Sequence, residues 1–133
     1  MSVFVDTSAL YAALDSRDDR HGRAKAVFAD LIGNEELVTH SYVIVEIAAL
    51  TQTRLGAAAS RDLFRTVVPA LNVALVDERL HESSVAAFLA SDRRRASLVD
   101  WTSFEFMHRT GLRTAFAFDR DFAEQGFEVI PTR

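Results

Sequence analysis

The chain has 133 residues, of which 49% are hydrophobic and 26% are charged, and it carries a formal net charge of −4. This length and composition fit one ordered domain spanning residues 1–133, and the absence of cysteine excludes disulfide bonds and thiolate-ligated zinc. No apolar run approaches the roughly 20 residues that cross a bilayer, and no signal peptide is recognisable, so we expect a cytoplasmic protein without a membrane segment.

Apolar runs typical of strands alternate along the chain with segments whose apolar residues recur at helical spacing. Thr7 with Ser8, and later Ser41, are placed to cap the helices that follow them. In chain order, the sequence predicts a strand at 3–5, a helix over 9–14, a helix ending near Gly33, a strand at 37–39, helices over 41–55 and 57–68, a strand at 73–76, a helix through Leu89, an arginine loop at 93–95, a helix from Asp100 to Gly111, a strand at 114–118 and an edge strand at 129–130.

The regular alternation of strands and helices predicts the fold class. Strands joined through helices run parallel, and a parallel sheet is normally covered by helices on both faces. We therefore expect an α/β fold, a three-layer α/β/α sandwich with a central, mostly parallel sheet. The sequence shows no repeat, linker or low-complexity segment that would divide it.

Two aspartates directly follow apolar strands of the predicted sheet. Asp6 comes after residues 3–5, and Asp119 comes after residues 116–118. In an open parallel sheet, ligands bind outside the carboxyl ends of the strands, so both acids are candidates for a functional site. The alternative is that each is only a turn former or a helix cap, since aspartate is favoured at both places.

Glu46 lies in the middle of a predicted helix with apolar neighbours on its own face. The neighbours at i−4, i−3, i+3 and i+4 are Tyr42, Val43, Ala49 and Leu50. A carboxylate on such a face needs a partner or a metal, because an unpaired buried charge is unfavourable. The alternatives are a salt bridge to an arginine such as Arg54 or Arg109, or a helix that is exposed at this point.

Asp100 lies in the first turn of a predicted helix, where the helix dipole stabilises a negative charge by roughly 0.3–1 kcal/mol. That effect alone can explain an aspartate at this position. Asp100 also shares a stripe with Phe104 and Met107, which directs it towards the protein interior. Capping and a role in a functional site are therefore compatible.

Carboxylates that converge repel one another, and a hard divalent cation removes that conflict. Mg²⁺ takes oxygen ligands and commonly lies between carboxylates and substrate phosphates. The histidines, at positions 21, 40, 81 and 108, are not paired at ligand spacing, and we interpret each as structural or exposed. The acids therefore favour Mg²⁺ or Mn²⁺ over zinc.

Arginine dominates the positive charge of the chain. The chain has 15 lysine and arginine residues, and all of them are arginines except Lys25. Arginine suits bidentate contact with phosphate, although the simpler interpretation of any one of them is a solvated protein face. Six arginines fall between positions 93 and 120: Arg93, Arg94, Arg95, Arg109, Arg113 and Arg120.

Four segments of the chain, in order, resemble the motifs of PIN-domain proteins. The resemblance spans the whole chain, and motifs in register are more specific together than any one of them alone. The segments are VDTSA at residues 5–9, VEI at 45–47, SLVDWTSF at 97–104, and FDRDF at 118–122 followed by GFEV at 126–129.

Within this family, the greatest likeness is to the VapC-type toxins of bacterial toxin–antitoxin pairs. The resemblance implies a Mg²⁺- or Mn²⁺-dependent endoribonuclease that hydrolyses phosphodiester bonds in structured RNA. It also implies neutralisation by a small VapB-like antitoxin, and a homodimer that forms a heterotetramer or a larger assembly with it. The apolar helices at residues 41–69 can supply a dimer face, or can simply fill the core.

The resemblance also implies roles for individual residues. Asp121 takes a secondary place in the site, and Thr7 or Ser8 is expected to hold a carboxylate by a hydrogen bond. The chain departs from many relatives at Ala117, where they carry threonine or serine two residues before the last acid, so a lower metal affinity or rate is expected. Catalysis and metal binding are assigned to Asp6, Glu46, Asp100 and Asp119. RNA binding is assigned to Arg93, Arg94, Arg95 and Arg120.

Other families with a strand-end aspartate fit the sequence less well. A haloacid-dehalogenase-like phosphatase needs a second aspartate two residues after the first, where this chain has Ser8. A response-regulator receiver needs a late lysine, whereas Lys25 is early. A DNA-directed nuclease would need clamp elements for which the chain is short. A catalytically weak PIN module that acts mainly by binding RNA or antitoxin is the leading alternative.

Overall fold

The structure is a computed structural model that describes residues 1–91 and 96–132. Within these residues, five short strands form one sheet. Each neighbouring pair of strands in this sheet runs parallel. The strands are β1 (Ser2–Val5), β2 (Glu36–His40), β3 (Asn72–Ala74), β4 (Thr114–Phe116) and β5 (Glu128–Ile130). Their order across the sheet is β3-β2-β1-β4-β5.

Helices connect the strands and alternate with them along the chain. None of the helices that the structure describes is long and apolar enough to span a bilayer. The α-helices are α1 (Thr7–Leu14), α2 (His21–Leu31), α3 (Ser41–Arg54), α4 (Ala57–Asp62), α5 (Glu78–Ala90), α6 (Leu98–Thr110) and α7 (Asp121–Glu124).

Phenylalanines on two strands show that the helices cover both faces of the sheet. Phe4 on β1 is fully buried, and its ring centroid lies 6.0 Å from that of Phe106 on α6. Phe116 on β4 is the register partner of Val5, so its side chain points to the face opposite Phe4. On that face its ring lies 4.9 Å from Phe28 of α2. The expected α/β/α sandwich with a parallel sheet is therefore confirmed.

The strand order determines which edge of the sheet can hold a site. From β1 the chain moves to β2 and β3 on one side, and it then crosses back to β4 and β5 on the other. The topological switch point therefore lies between β1 and β4, where ligands bind in open α/β sheets. Asp6 and Asp119 follow these two strands at their carboxyl ends, and the Asp6 N–H donates to the Phe116 carbonyl at 3.0 Å.

The fourth strand is shorter than the sequence predicts. The apolar run at 114–118 predicts a strand throughout, but β4 ends at Phe116. The N–H of Ala117 still donates across to β5 at 3.1 Å. The N–H of Phe118 instead donates to the Ser8 hydroxyl at 3.0 Å, so a side chain replaces the next hydrogen bond of the sheet.

The helix predicted over residues 57–68 is present but changes its geometry along its length. It is an α-helix only to Asp62, and then a π-helical segment over Leu63–Val67. A 3₁₀ turn over Val68–Ala70 follows. Pro69 lies in this turn and has no N–H to donate, so the α-helical hydrogen-bond pattern cannot continue through it.

A buried histidine, and not the predicted Ser41, caps α3. His40 Nδ1 accepts a hydrogen bond of 3.4 Å from the N–H of Val43. Its Nε2 is 2.8 Å from the Ser103 hydroxyl, which itself donates to the carbonyl of Val99 at 3.0 Å. Burial lowers the pKa of His40 to about 4, so the ring is neutral and can accept at Nδ1. Ser41 serves elsewhere, because its hydroxyl accepts from a backbone N–H that follows β3.

Candidate active site

Four acids from different parts of the described chain line one depression of about 290 Å³ at the carboxyl end of the sheet. These are the four acids that the sequence singles out, and the structure brings all of them to one place. Their elements lie far apart in the chain, so only the fold accounts for their proximity. They are Asp6 after β1, Glu46 in α3, Asp100 in α6 and Asp119 after β4.

Asp6 is almost fully buried, with 3% of its surface exposed. It is itself the N-cap of α1, a role that the sequence assigned to Thr7 or Ser8, and its Oδ2 accepts the Ser8 N–H at 3.1 Å. Its Oδ1 is buried and has no hydrogen-bond partner among the described residues. Burial, together with the nearby charges of Asp100 and Asp119, raises the pKa of Asp6 to about 7.

The Ser8 hydroxyl connects Asp6 to the backbone that leaves β4. It donates to Oδ2 of Asp6 at 2.6 Å and accepts the N–H of Phe118 at 3.0 Å. A hydroxyl from α1 thus orients an acid of the site, although Ala117 on the exit of β4 offers none. Thr7, the other candidate for this task, does not hold a carboxylate, since its Oγ1 is buried without a partner in residues 1–91 and 96–132.

Asp100 combines helix capping with a place in the depression. The helix begins at Leu98 and not at Asp100, and Ser97 is its N-cap. Asp100 Oδ2 accepts the Ser97 N–H at 2.9 Å, while the Asp100 N–H donates to the Ser97 hydroxyl at 3.1 Å. Burial, followed by the charges of Asp119 and Glu46, raises the pKa of Asp100 to about 6. The capping box fixes this carboxylate in place against the other acids.

Glu46 is half-buried and makes no ion pair with any residue that the structure describes. Arg109, one of the two partners considered for it, instead pairs with Asp77 at 2.9 Å. Arg54, the other, lines the same depression, with its guanidinium carbon 5.5 Å from the Tyr11 ring centroid. The alternative of a salt-bridged Glu46 is therefore not seen in this part of the chain.

A closely spaced group of acids extends the site towards α7. Asp100, Asp119 and Asp121 offer carboxylate oxygens that all lie within 4.8 Å of one another. The Asp121 N–H donates to Asp119 Oδ1 at 2.9 Å, and Asp121 is 8% exposed. The family resemblance gives Asp121 only a secondary place in the site, and in the structure Asp121 is the first residue of α7, a helix of 4 residues. The structure brings Asp121 as near to Asp100 and Asp119 as a shared cation requires.

The chemistry of these side chains suits a hard cation. Among the described residues, the lining of the depression offers carboxylate oxygens and no imidazole. Asp6 has a buried carboxylate oxygen without a partner among the described residues, and burial raises the pKa of both Asp6 and Asp100, so these carboxyls are not neutralised by a positively charged partner. A divalent cation with oxygen ligands would supply that charge.

The arginines assigned to RNA binding can be placed only in part. Arg93, Arg94 and Arg95 lie outside the described residues. Arg120 is exposed and lines a cleft that adjoins the acidic depression. Arg20 and Arg23, which the sequence does not single out, line the same cleft.

The chain is similar in sequence to known proteins. The family profile described as PIN domain matches residues 3–128. The chain is 37% identical over 134 aligned positions to the 23S rRNA-specific endonuclease VapC20 of Mycobacterium tuberculosis, covering 97% of this chain and 98% of that protein.

Solved structures show the same fold. The crystal structure of Mycobacterium tuberculosis VapC20, described as a Sarcin-Ricin loop cleaving toxin, superposes with a TM-score of 0.83 and 34% identity over 94% of this chain and 95% of that one. VapBC2 from Rickettsia felis, bound to a DNA fragment from its promoter, gives a TM-score of 0.71 at 9% identity, with 97% of each chain covered. The second likeness concerns the fold alone.

Proposed function

The chain belongs to the PIN-domain family, and from this premise we propose that it is a divalent-metal-dependent endoribonuclease, the toxin of a VapBC-type toxin–antitoxin pair. Residues 1–133 act as one nuclease domain. The observation that carries the proposal is the depression at the switch point of the sheet, where the acids converge and a buried oxygen of Asp6 lacks a partner.

The proposed substrate is a structured loop of ribosomal RNA. A relative with 37% identity over almost the whole chain is a 23S rRNA-specific endonuclease, and a structure with 34% identity is that of a Sarcin-Ricin loop cleaving toxin. The reaction is the hydrolysis of one phosphodiester bond within the chain of the RNA. The proposed location is the cytoplasm, where ribosomal RNA is found.

The residues of the depression fit one or two Mg²⁺ or Mn²⁺ ions. The side chains offer oxygen ligands, which these cations prefer, and Asp6 Oδ1, which has no partner among the described residues, is suited to bind the cation directly. A bound ion would lower the pKa of a water molecule and neutralise charge on the phosphate. The proposed holders are Asp6, Glu46, Asp100 and Asp119, with Asp121 as an additional ligand.

The residues of the chain itself prepare this site for catalysis. The Ser8 hydroxyl directs one Asp6 oxygen to the protein and leaves Oδ1 for the site. The capping box does the same for Asp100, because only its Oδ2 binds the Ser97 N–H. Carboxylates held this way need little rearrangement when the substrate arrives. Arg120 and the arginines at 93–95 are proposed to hold RNA nearby.

Water is the proposed nucleophile, so the ribose 2′-hydroxyl at the cut site is not required. An RNA with a 2′-O-methyl group at that position should therefore still be cleaved. Loss of cleavage in the methylated RNA, with cleavage retained in the unmodified RNA, would show that the 2′-hydroxyl takes part and that this mechanism is wrong.

The proposed partners are a cognate VapB-like antitoxin and a second copy of the chain. Large apolar side chains are exposed on and after α3, with Val45 68% and Phe64 49% exposed, and they suit a homodimer face. Antitoxin binding would then give a heterotetramer or a larger assembly. A basic antitoxin side chain that enters the acidic depression would replace the charge of the cation.

Cleavage by purified, antitoxin-free protein tests the proposed function. Ribosomes and total RNA are incubated with Mg²⁺ or Mn²⁺, and then with EDTA. The Asp6→Asn variant should lose cleavage, whereas Asp30→Asn, the same change on the exposed side of α2, should retain it. Discrete metal-dependent fragments support the proposal. RNA that is bound but never cut supports a catalytically weak binding module instead.

A further inference from the structure

A cleft of about 450 Å³ adjoins the acidic depression on the side of Asp119. Asp119 lines both, and a shallow surface that includes Ser8, Arg20 and Asp121 joins them. We name it the arginine cleft, because its lining includes three arginines beside an aromatic ring: Arg20, Arg23, Arg120 and Phe118. The cleft therefore continues the acidic depression on the side of Asp119.

An aromatic ring holds two of these arginines. The guanidinium carbon of Arg20 lies 5.0 Å from the centroid of Phe118, and that of Arg23 lies 5.8 Å from it. A cation–π contact occupies no hydrogen-bond acceptor, so the N–H groups of the guanidinium that make no other hydrogen bond stay available to an anion. The contact also restricts the side chain beforehand, so that less conformational freedom is lost when a ligand binds.

Few protein groups compete for these arginines. Arg20 Nε donates to Asp18 at 3.3 Å and forms an ion pair with it, whereas its terminal amino groups make no hydrogen bond with any described residue. Arg23 Nη2 donates to the carbonyl of Thr132 at 3.3 Å, a contact that does not neutralise its charge. Neither Arg23 nor Arg120 forms an ion pair within residues 1–91 and 96–132. Arg23 and Arg120 therefore keep the cleft positively charged immediately beside the acids.

We propose that the arginine cleft binds the unpaired nucleotides on one side of the scissile phosphate. Its arginines contact the backbone phosphates, and a base packs against the Phe118 ring and the guanidinium groups of Arg20 and Arg23. This proposal rests on the proposed nuclease function and extends it. Aromatic rings and arginine planes are the surfaces on which proteins stack unpaired bases. A base inside a duplex is already stacked on its neighbours and cannot reach a half-buried ring in a cleft.

The charge of the cleft favours RNA over an antitoxin segment as its occupant. A basic antitoxin side chain would be attracted by the acids but repelled by Arg20, Arg23 and Arg120. An RNA strand fits both surfaces, since its phosphates are attracted by the arginines and, once a cation is bound to the acids, are no longer repelled by the depression. The two charged surfaces side by side thus match a strand that passes from one to the other.

RNA binding tests the cleft separately from cleavage. The probe is a fluorescein-labelled single-stranded RNA of about ten nucleotides, within the site sizes known for such surfaces, and Asp6→Asn is the background that prevents cutting. The double change Arg20→Ala and Arg23→Ala should weaken binding about tenfold and lower the salt slope by about 1.4, which is two contacts at roughly 0.7 each. Arg17→Ala removes one charge from the same loop outside the cleft and should change affinity less than about twofold.

Phe118→Leu tests the aromatic ring. It keeps an apolar side chain but removes the surface on which a base would stack and which holds Arg20 and Arg23, so it should weaken binding of the single-stranded probe more than binding of a matched RNA duplex. In the cleaving enzyme, the arginine variants should raise KM and leave kcat close to that of the wild type. A raised KM with an unchanged kcat indicates weaker substrate binding, whereas a disturbed arrangement of the acids would lower kcat.

Failure of the cleft proposal can be distinguished from failure of the proposed nuclease function. If the wild-type protein never cuts RNA, the nuclease proposal fails, while the binding assay still tests the cleft. If the wild type cuts RNA and the double variant has unchanged affinity and KM, the cleft proposal is overturned alone. Retained RNA affinity with loss of the antitoxin complex would also overturn it, and would assign the cleft to the protein partner.

Discussion

The Ser8 hydroxyl donates a hydrogen bond of 2.6 Å to Asp6 and ties that carboxylate to the backbone leaving β4, where the Phe118 N–H donates to Ser8 at 3.0 Å. One side chain thus joins the two strands on either side of the switch point. It also sets which oxygen of Asp6 is committed to the protein and which is left for the site.

Ser8→Ala is expected to damage both the rate and the stability. The change leaves the N–H of Phe118 without its partner and removes one of the two hydrogen bonds to Asp6 Oδ2. We expect kcat to fall by about 10–100-fold and the free energy of unfolding to fall by about 1–3 kcal/mol. Ser8→Thr, which keeps the hydroxyl, is the matched control. Equal kcat values for the alanine and threonine variants would show that the hydroxyl has no part in the reaction.

Asp6→Asn is expected to abolish cleavage and yet stabilise the metal-free protein. Burial first, and then the charges of neighbouring acids, raise the pKa of Asp6 from 3.8 to about 7. A group with a raised pKa in the folded state contributes stability that is present below pH 3.8 and is lost as the pH rises through 7. A neutral amide avoids that loss, so we expect a gain of about 1 kcal/mol or more at pH 8 and almost none near pH 4.

Thermal unfolding in EDTA measures this gain, with Asp30→Asn on the exposed side of α2 as the control. A gain of 1 kcal/mol corresponds to a rise in Tm of about 4 °C for a chain of this size. If Asp6→Asn melts below the wild type at pH 8, the carboxylate is not destabilising and the prediction is wrong.

Metal binding is expected to weaken as the pH falls from 8 to 6. The pKa is raised to about 7 for Asp6 and to about 6 for Asp100, in both cases mainly by burial. A cation takes carboxylates only in their deprotonated form, so binding releases protons in this range. We expect the affinity for Mn²⁺ to be about tenfold lower at pH 6 than at pH 8.

Calorimetry in two buffers of different ionisation enthalpy counts the protons that are released on Mn²⁺ binding. Release should be largest near pH 6 and should nearly disappear at pH 8, because both carboxyls are then already deprotonated. An affinity that does not change between pH 6 and pH 8 would contradict the prediction.

The strand-end acids could be predicted from the sequence because local pattern and topology agree there. Asp6 and Asp119 each end an apolar run, and alternating strands and helices bring such ends to one edge of a sheet. Glu46 could be predicted because a carboxylate among apolar helical neighbours needs a reason. These inferences use only neighbours in the chain and a general property of parallel sheets.

The arginine cleft could not be predicted in this way. Arg20 and Arg23 lie in and beside a polar loop near the start of the chain, and Phe118 lies in an apolar run near its end. That run predicts a buried strand residue, but Phe118 lies beyond the end of β4 and is only half-buried. Their contact arises from the packing of α2 beside the exit of β4, which no local pattern encodes.

Arg54 is expected to act on substrate binding and not on Glu46. Its guanidinium lies over the Tyr11 ring at 5.5 Å and lines the acidic depression but not the arginine cleft. It forms no ion pair with Glu46 within the described chain. A positive group in this position suits a phosphate of the bound RNA. We therefore expect Arg54→Ala to raise KM about tenfold, while kcat stays within about twofold of the wild type.

The matched control for Arg54→Ala is Arg109→Ala. Arg109 is also exposed, but it pairs at 2.9 Å with Asp77, the N-cap of α5, away from the depression. Its loss should lower thermal stability slightly and leave KM unchanged. Steady-state cleavage of an rRNA fragment measures both variants. If Arg54→Ala lowers kcat and Mn²⁺ affinity with KM unchanged, then Arg54 acts through the carboxylates, because an arginine that only holds RNA would leave metal binding intact.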